Sequence, residues 1–281
     1  MTGRRSPSIN EQAMTVATSI PASIRRRLKG PVYGALDLAT RRRGVARVIN
    51  GEVVRFPARW SRYYPTEYER EKHDFLVRTC LPGSAALDLG AHLGLFTVTM
   101  ARAVGPEGCV IAVEPTSSTR EALERTISLN SLDRIVDVRA EAVTDRTGET
   151  VRFFETPDQL SNANSVVMTT RSAGSFDVAS TTVDEIVDRL DRPLSCVKLD
   201  IEGAELLALR GAERAVRRFG PALALEVHPR QLRAGGWSPA DLWAWLDDAG
   251  YQVSCDAVAV SEPWFTEQNE AFEVQAVAAT L

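Results

Sequence analysis

The sequence predicts an α/β protein, a mostly parallel sheet with helices on both faces. Three observations predict it. From residue 85 onward, short apolar strand-like runs alternate with helical stretches, the rhythm of parallel strands joined by crossover helices. The turn Asp88-Leu89-Gly90-Ala91-His92-Leu93-Gly94 joins the first of these strands directly to a helix, and glycines there allow tight turning and close approach of a ligand. Finally, Asp88, Glu114 and Glu141 stand at the ends of three successive strands, the edge where open α/β sheets bind ligands.

The elements follow in order. Residues 1–20 are polar without a clear period and read as a mobile tail, and residues 22–43 read as a helix with basic clusters at each end. Asn50-Gly51 between two β-rich runs predicts a two-residue hairpin. Thr66 with Glu69 predicts a capping box opening a helix to about Thr79. Strands are expected at Ala85–Leu89, Cys109–Val113 and Val136–Val143, with helices over 94–104 and 117–129 between them. Val151–Glu155 and Ser165–Thr170 are expected to pair as antiparallel strands across the loop Thr156–Asn164. Thr182 and Glu185 predict a second capping box, for a helix ending near Leu190. A strand over Ser195–Ile201 and a helix over Glu202–Arg210 come next, the latter with Gly211 as its C′ residue. A strand follows at Ala222–Val227, and then a helix opened by Ser238-Pro239 and closed by Gly250. Tyr251–Cys255 and Val274–Leu281 are the last two strands, with Glu262–Asn269 a loop. The chain thus divides into a tail (1–20), a basic helix and hairpin extension (21–65) and a main domain (66–281).

Composition narrows the partners. With 44% apolar and 25% charged residues, the chain is an ordinary globular protein. No apolar run approaches the roughly 18 residues needed to span a bilayer, and no apolar core follows the early arginines as a secretory signal requires. Cys80, Cys109, Cys196 and Cys255 lack metal spacing and fit reduced thiols in the cytoplasm. The net charge of −4 is uneven. Residues 1–47 hold ten basic and two acidic residues, a net +8, which leaves 23 basic against 35 acidic residues elsewhere, a net −12. Such an arm could touch nucleic acid or an anionic membrane, fold back on the acidic body or stand as a solvated helix; Tyr33 is the only aromatic among its arginines, which argues against nucleic acid.

The turn after the first strand is not the full dinucleotide fingerprint. Asp88 occupies the place where a pyrophosphate binder has glycine, and a carboxylate there repels a pyrophosphate. It suits a ligand with a positive amino group, such as the methionine part of S-adenosylmethionine. The candidate cofactor residues are therefore Asp88, Gly90, Ala91, His92 and Gly94. Glu114, 20 residues after Gly94, is placed to accept the ribose hydroxyls, and Glu141-Ala142 to receive the adenine amino group.

A second acidic motif lies further on. In Cys196-Val-Lys-Leu-Asp-Ile-Glu-Gly-Ala-Glu205, Lys198, Asp200 and Glu202 share one face of a strand, where an interior parallel strand is usually apolar throughout. Glu226 and His228 repeat the theme one strand later. Lys198, Asp200, Glu202, Glu226 and His228 are the candidate catalytic residues. Trp60, Tyr63 and Tyr64 are candidates for an aromatic acceptor wall, and Asn162, Asn164 and Ser165 for contacts to substrate hydroxyls.

Together, Asp88–Gly94, Val113-Glu114-Pro115, Thr181-Thr-Val-Asp184, Lys198–Glu205 and Glu226-Val-His228-Pro229 resemble the FkbM family of S-adenosylmethionine-dependent methyltransferases, over roughly residues 66–280. The resemblance implies a Rossmann-like class I methyltransferase sheet, seven-stranded and mostly parallel with an antiparallel final strand. It also implies O-methylation of a small-molecule hydroxyl on a natural product, sugar or glycan-like acceptor. An alcohol must lose its proton as the new bond forms, so Asp200 or His228 is expected to accept it, with Glu226 orienting the base or holding the substrate. A rival is Mg²⁺ held by Asp200, Glu202 and Glu226. Lys198 opposes a cation so close, so no metal is expected. An NAD-dependent oxidoreductase, a nucleic-acid methyltransferase and an inactive binding module on the same fold stay open at this point, as does the oligomeric state.

Overall fold

The structure, a computed structural model, describes residues 43–156, 164–168, 172 and 174–279. The expected tail, the basic helix up to residue 42, most of the loop Thr156–Asn164 and Asn162 lie outside the described residues.

Strands β1 (Val45–Ile49) and β2 (Glu52–Phe56) form the expected hairpin, pairing Val48 with Val53. Asn50 and Gly51 take φ of 51° and 85°, as a two-residue turn with positive φ at both positions requires. Asn50 does more than turn the chain. Its amide nitrogen donates to the Tyr68 carbonyl at 2.6 Å, and its side-chain oxygen accepts from the Tyr68 N–H at 3.0 Å. The Asn50 N–H also donates to the Thr66 carbonyl at 2.9 Å. This clamp holds residues 66–68 outside the helix and corrects the expected capping box. Helix α1 (Arg70–Thr79) starts after Glu69, which has φ 42° and no capping hydrogen bond from its side chain.

The main sheet is built from β3 (Ala85–Leu89), β4 (Cys109–Val113), β5 (Val136–Arg139), β9 (Leu194–Leu199), β10 (Ala222–Val227), β11 (Tyr251–Cys255), β12 (Val258–Ala259) and β13 (Phe272–Ala278). Their order is β5-β4-β3-β9-β10-β13-β11-β12. The first five are parallel, and β13 runs antiparallel to both β10 and β11. This is the expected mostly parallel sheet with an antiparallel final strand, enlarged by the two-residue edge strand β12. Alternate side chains of β3 enter two cores: Leu87 and Leu89 on one face, Ala86 on the other. Burying a leucine fully stabilises by about 1.5–3 kcal/mol. Ile49, Val54 and Phe56 of the hairpin pack in the same cluster as Leu76, Met100 and Ala86.

Helices α2 (Leu95–Val104) and α3 (Ser117–Leu129) follow β3 and β4 as expected. Among the described residues, no helix is long and apolar enough to cross a membrane.

The structure corrects several other expectations. The strand expected over Val136–Val143 breaks after Arg139. Its last two residues, β6 (Ala142–Val143), leave the main sheet and pair with β8 (Gly174–Thr181). β7 (Thr150–Glu155) also pairs with β8, and of the partner expected at Ser165–Thr170 the described Ser165 forms an isolated bridge to Phe154, while Thr169 and Thr170 lie outside the described residues. β8 carries few apolar residues. Its register is fixed across the pair by Arg152–Asp177 at 2.7 Å and by Phe153 against Phe176.

The second capping box is half made. Thr182 accepts from the Glu185 N–H, and α4 (Val183–Val187) ends three residues before Leu190. Helix α5 (Glu205–Arg210) begins after Gly203, because residues 200–204 form a turn with φ 54° at Glu202 and 100° at Gly203. Gly211 has φ −77° rather than a left-handed cap, since the chain runs on into α6 (Glu213–Phe219). A glycine is needed there for space: a Cβ would lie 2.3 Å from the Thr144 carbonyl oxygen. After β10 comes α7 (Pro229–Ala234). Ser238 closes a full capping box on α8 (Pro239–Asp248). The expected loop after β12 contains a short helix, α9 (Glu262–Thr266).

Candidate active site

The carboxyl ends of β3, β4 and β9 meet the aromatic segment before α1 around a cleft. Gly90, Ala91, His92, Glu114, Ala142, Lys198 and Asp200 line it, with Tyr63, Tyr64 and Asn164. Tyr68, Phe96, Thr116 and Thr119 complete the wall, and nothing in the sequence singles them out. Gly90 has φ 79°, and a Cβ on it would lie 1.9 Å from the Asp200 carbonyl oxygen. The tight turn therefore lets the end of β9 approach the loop after β3. Gly94, with φ 86°, stands at the N-terminus of α2.

Glu114 is buried in the cleft wall, 7% exposed. One of its oxygens accepts the Thr116 N–H at 2.9 Å, and the other accepts the His92 N–H at 3.1 Å. Burial raises its pKa above the ordinary glutamate value, and these hydrogen bonds oppose the rise. His92 has φ 49°, and its Nδ1 is hydrogen-bonded to the Tyr64 hydroxyl at 3.3 Å. The Tyr63 ring lies 5.0 Å from the His92 ring. Trp60 is not part of this wall; Arg59 lies over its ring instead.

Asp88 sits behind the cleft rather than in it. It is fully buried, and its oxygens are held by Lys198 Nζ at 3.0 Å and by the Thr97 hydroxyl at 2.5 Å. Lys198 also donates to the Gly90 carbonyl at 3.1 Å, tying β9 to the glycine loop. Glu141 lies at the break between β5 and β6. Its carboxylate accepts the Ala140 N–H, and only its neighbour Ala142 lines the cleft. Ser165 is buried, and its hydroxyl faces the Ile201 carbonyl at 3.5 Å.

The acids of the second motif gather around His228, which is 3% exposed. Its Nδ1 is 2.8 Å from Glu205. Its Nε2 faces Glu202 at 3.5 Å, Glu226 at 3.7 Å and Asp200 at 4.0 Å. Burial disfavours the imidazolium, but the Glu205 hydrogen bond and the surrounding carboxylates overcome this and push its pKa up to about 10. Burial acts on Asp200 in the opposite direction to its neighbours. Lys198, Lys72 and His228 prevail and hold its carboxyl below the ordinary value. Burial dominates at Glu202, which is pushed up to about 7. Gln231 donates to Glu202 at 2.8 Å. One oxygen each of Asp200 and Glu226 and a nitrogen of His228 lie within 4.8 Å of one another, a grouping that does not include Glu202.

Sequence reasoning missed Lys72. It lies on α1, is 2% exposed, and pairs with Glu69 at 2.6 Å and with Glu226 and Glu273 at 3.0 Å each. Only the Glu69–Lys72 spacing of three residues is visible locally; the other partners come from β10 and β13. Glu205 stood inside the second motif without a role.

The cleft suits S-adenosylmethionine. Five of the candidate cofactor residues, Gly90, Ala91, His92, Glu114 and Ala142, line it. Solved structures of similar fold include an FkbM methyltransferase from Methylobacillus flagellatus, 18% identical, with TM-score 0.44, matching 70% of this chain and 44% of that one. An rRNA methylase from Streptococcus thermophilus is 12% identical, with TM-score 0.44, covering 75% of this chain and 96% of that one. The O-methyltransferase TomG from Streptomyces achromogenes is 13% identical, with TM-score 0.43, covering 74% and 78%. No curated protein matches the sequence. The methyltransferase FkbM domain matches residues 88–253, more than half of the chain, from the glycine turn into β11. The chain therefore belongs to the FkbM family of S-adenosylmethionine-dependent methyltransferases.

Proposed function

We propose that this protein transfers a methyl group to a hydroxyl of a small-molecule acceptor, a natural product, sugar or glycan-like compound, with Asp200 taking the hydroxyl proton. The observation that carries this reading is the position of Asp200. Of the five candidate catalytic residues only Lys198 and Asp200 line the cleft, so Asp200 is the carboxylate of that set that an acceptor in the cleft reaches.

When bound, S-adenosylmethionine supplies an electrophilic methyl group on a sulfonium. The chain supplies orientation and charge. Glu114 and the Gly90–His92 turn hold the cofactor. Tyr63 and Tyr64, with His92, form one wall of the acceptor space, and Asn164 offers an amide to its hydroxyls. His228 is already protonated in its ring of acids, so the base role goes to Asp200. Lys198 and His228, each 4.0 Å from an Asp200 oxygen, steady the carboxylate.

The reading is tested by calorimetric titration with S-adenosylhomocysteine, beside NAD, and by turnover on a panel of hydroxylated acceptors. Glu114→Ala should weaken S-adenosylhomocysteine binding by about tenfold or more, the order of a lost charged hydrogen-bond pair. Asp200→Asn should keep that binding and lower turnover by roughly 10²–10⁴-fold. Unchanged turnover in Asp200→Asn would sink its role. NAD binding in place of S-adenosylhomocysteine would sink the cofactor assignment.

A further inference from the structure

The geometry points to a divalent cation site between Asp200, Glu226 and His228, opening on the acceptor side of the cleft. His228 is the centre of the argument. Its Nδ1 is fixed by Glu205, leaving Nε2 aimed at carboxylates from two strand ends. A histidine whose far nitrogen is held by a carboxylate while the near one faces acids is how proteins present imidazole to a metal. Yet among the described residues Nε2 closes no hydrogen bond. Its contacts of 3.5, 3.7 and 4.0 Å exceed the roughly 2.7–3.2 Å of a good hydrogen bond. They match co-ligands: donors bound to one ion at about 2.1 Å lie roughly 3–4.2 Å apart.

The lysines do not fill this space. Asp200 turns Oδ2 to Lys198 and Oδ1 to His228. Glu226 likewise turns Oε2 to Lys72 and Oε1 to His228. Glu226 is thus held from outside by Lys72 at 3.0 Å, while Asp200 faces Lys198 only at 4.0 Å, and each keeps one oxygen for the centre. Lys198, the sequence-level objection to a cation, is committed to Asp88 and Gly90. The second acidic cluster, Glu69, Glu226 and Glu273, is a different case, because Lys72 Nζ sits within 3.0 Å of all three.

One imidazole with two carboxylates suits a first-row divalent ion such as Mn²⁺ better than the all-oxygen Mg²⁺ site. The ion would take the place of the proton on Nε2. Asp200 lies in the cleft wall, so open coordination positions would face the acceptor, and a coordinated hydroxyl gives up its proton more readily. That last role rests on the hydroxyl reading above; cation binding itself does not.

The experiment is a Mn²⁺ titration of the full chain, followed by electron paramagnetic resonance of free Mn²⁺, with electron-spin-echo detection of nitrogen on the bound ion. The expected result is one Mn²⁺ per chain with micromolar affinity and ¹⁴N coupling. His228→Gln should abolish the coupling and the tight binding, and Glu205→Gln should weaken binding by about 10–100-fold. Glu273→Gln should leave it unchanged. Absence of binding tighter than millimolar, binding without ¹⁴N coupling, or equal loss in Glu273→Gln and His228→Gln would overturn the site. The spin-echo result on the wild type decides alone if His228→Gln fails to fold. S-adenosylhomocysteine binding measured on the same sample separates failure of this site from failure of the methyltransferase reading.

Discussion

At the scale of single residues, the site is a set of carboxylates with divergent surroundings. Glu114 and Asp200 both end strands and both line the cleft, yet burial raises the first while neighbouring cations lower the second. This has a consequence for cofactor binding. A raised folded-state pKa means that ionised Glu114 costs stability at neutral pH, and that the cost is relieved as pH falls through that value. In the proposed function a ribose hydroxyl donates to Glu114, which needs the ionised acceptor. S-adenosylhomocysteine affinity should therefore be flat near neutrality and fall with acidification at a pH above the ordinary glutamate value of 4.5. Calorimetry across mildly acidic buffers checks this, and an affinity that holds constant down to that value would contradict it.

At the scale of elements, the hairpin is a structural clamp rather than an ornament. Asn50 is buried and binds the backbone of Thr66 and Tyr68, the segment that carries the tyrosine wall. Asn50→Ala leaves the Tyr68 N–H and carbonyl without these partners, at a cost of about 1–3 kcal/mol. It also places alanine at a positive φ. Urea unfolding should show that loss, and acceptor turnover should fall with it while S-adenosylhomocysteine binding is kept. The sequence shows the turn because Asn-Gly reports its own dihedrals. It does not show the clamp, because Tyr68 is 18 residues away.

At the scale of the molecule, Lys72 joins α1 to two strands of the sheet, reaching Glu226 across 154 residues of sequence. Its ammonium is nearly inaccessible and holds three carboxylates together. Burial pushes Glu273 up to about 7, against the pull of Lys72, and raises Glu226 as well. Lys72→Met removes the cation from this cluster and should destabilise by roughly 3–5 kcal/mol at neutral pH. Without the ammonium both carboxyls titrate higher still, so the folded variant takes up protons and its deficit should narrow as pH falls. Denaturant unfolding at neutral and mildly acidic pH checks both statements. Equal deficits at the two values would mean that packing of the lysine stem, not its charge, holds α1 in place.

The sequence by itself determined the parallel sheet and marked several of the residues that line the cleft. Strand–helix alternation and the Asp88–Gly94 turn are local patterns, and local periodicity decides which face of an element is buried. It also marked Asp200, Glu226 and His228 as misplaced charges in apolar strands. Tertiary structure decided the rest. Val136–Val143 reads as one strand, yet its end leaves the sheet because β8 offers another partner, and β8 itself is too polar to announce its pairing. Asp88 reads as a ligand contact, yet packing places Lys198 against it and moves it behind the wall. His228 reads as a base, yet four carboxylates, Asp200 and Glu202 from the turn after β9, Glu205 from the start of α5 and Glu226 from β10, surround it. Charge–charge interactions depend on distance in space, so no local window of the chain contains them.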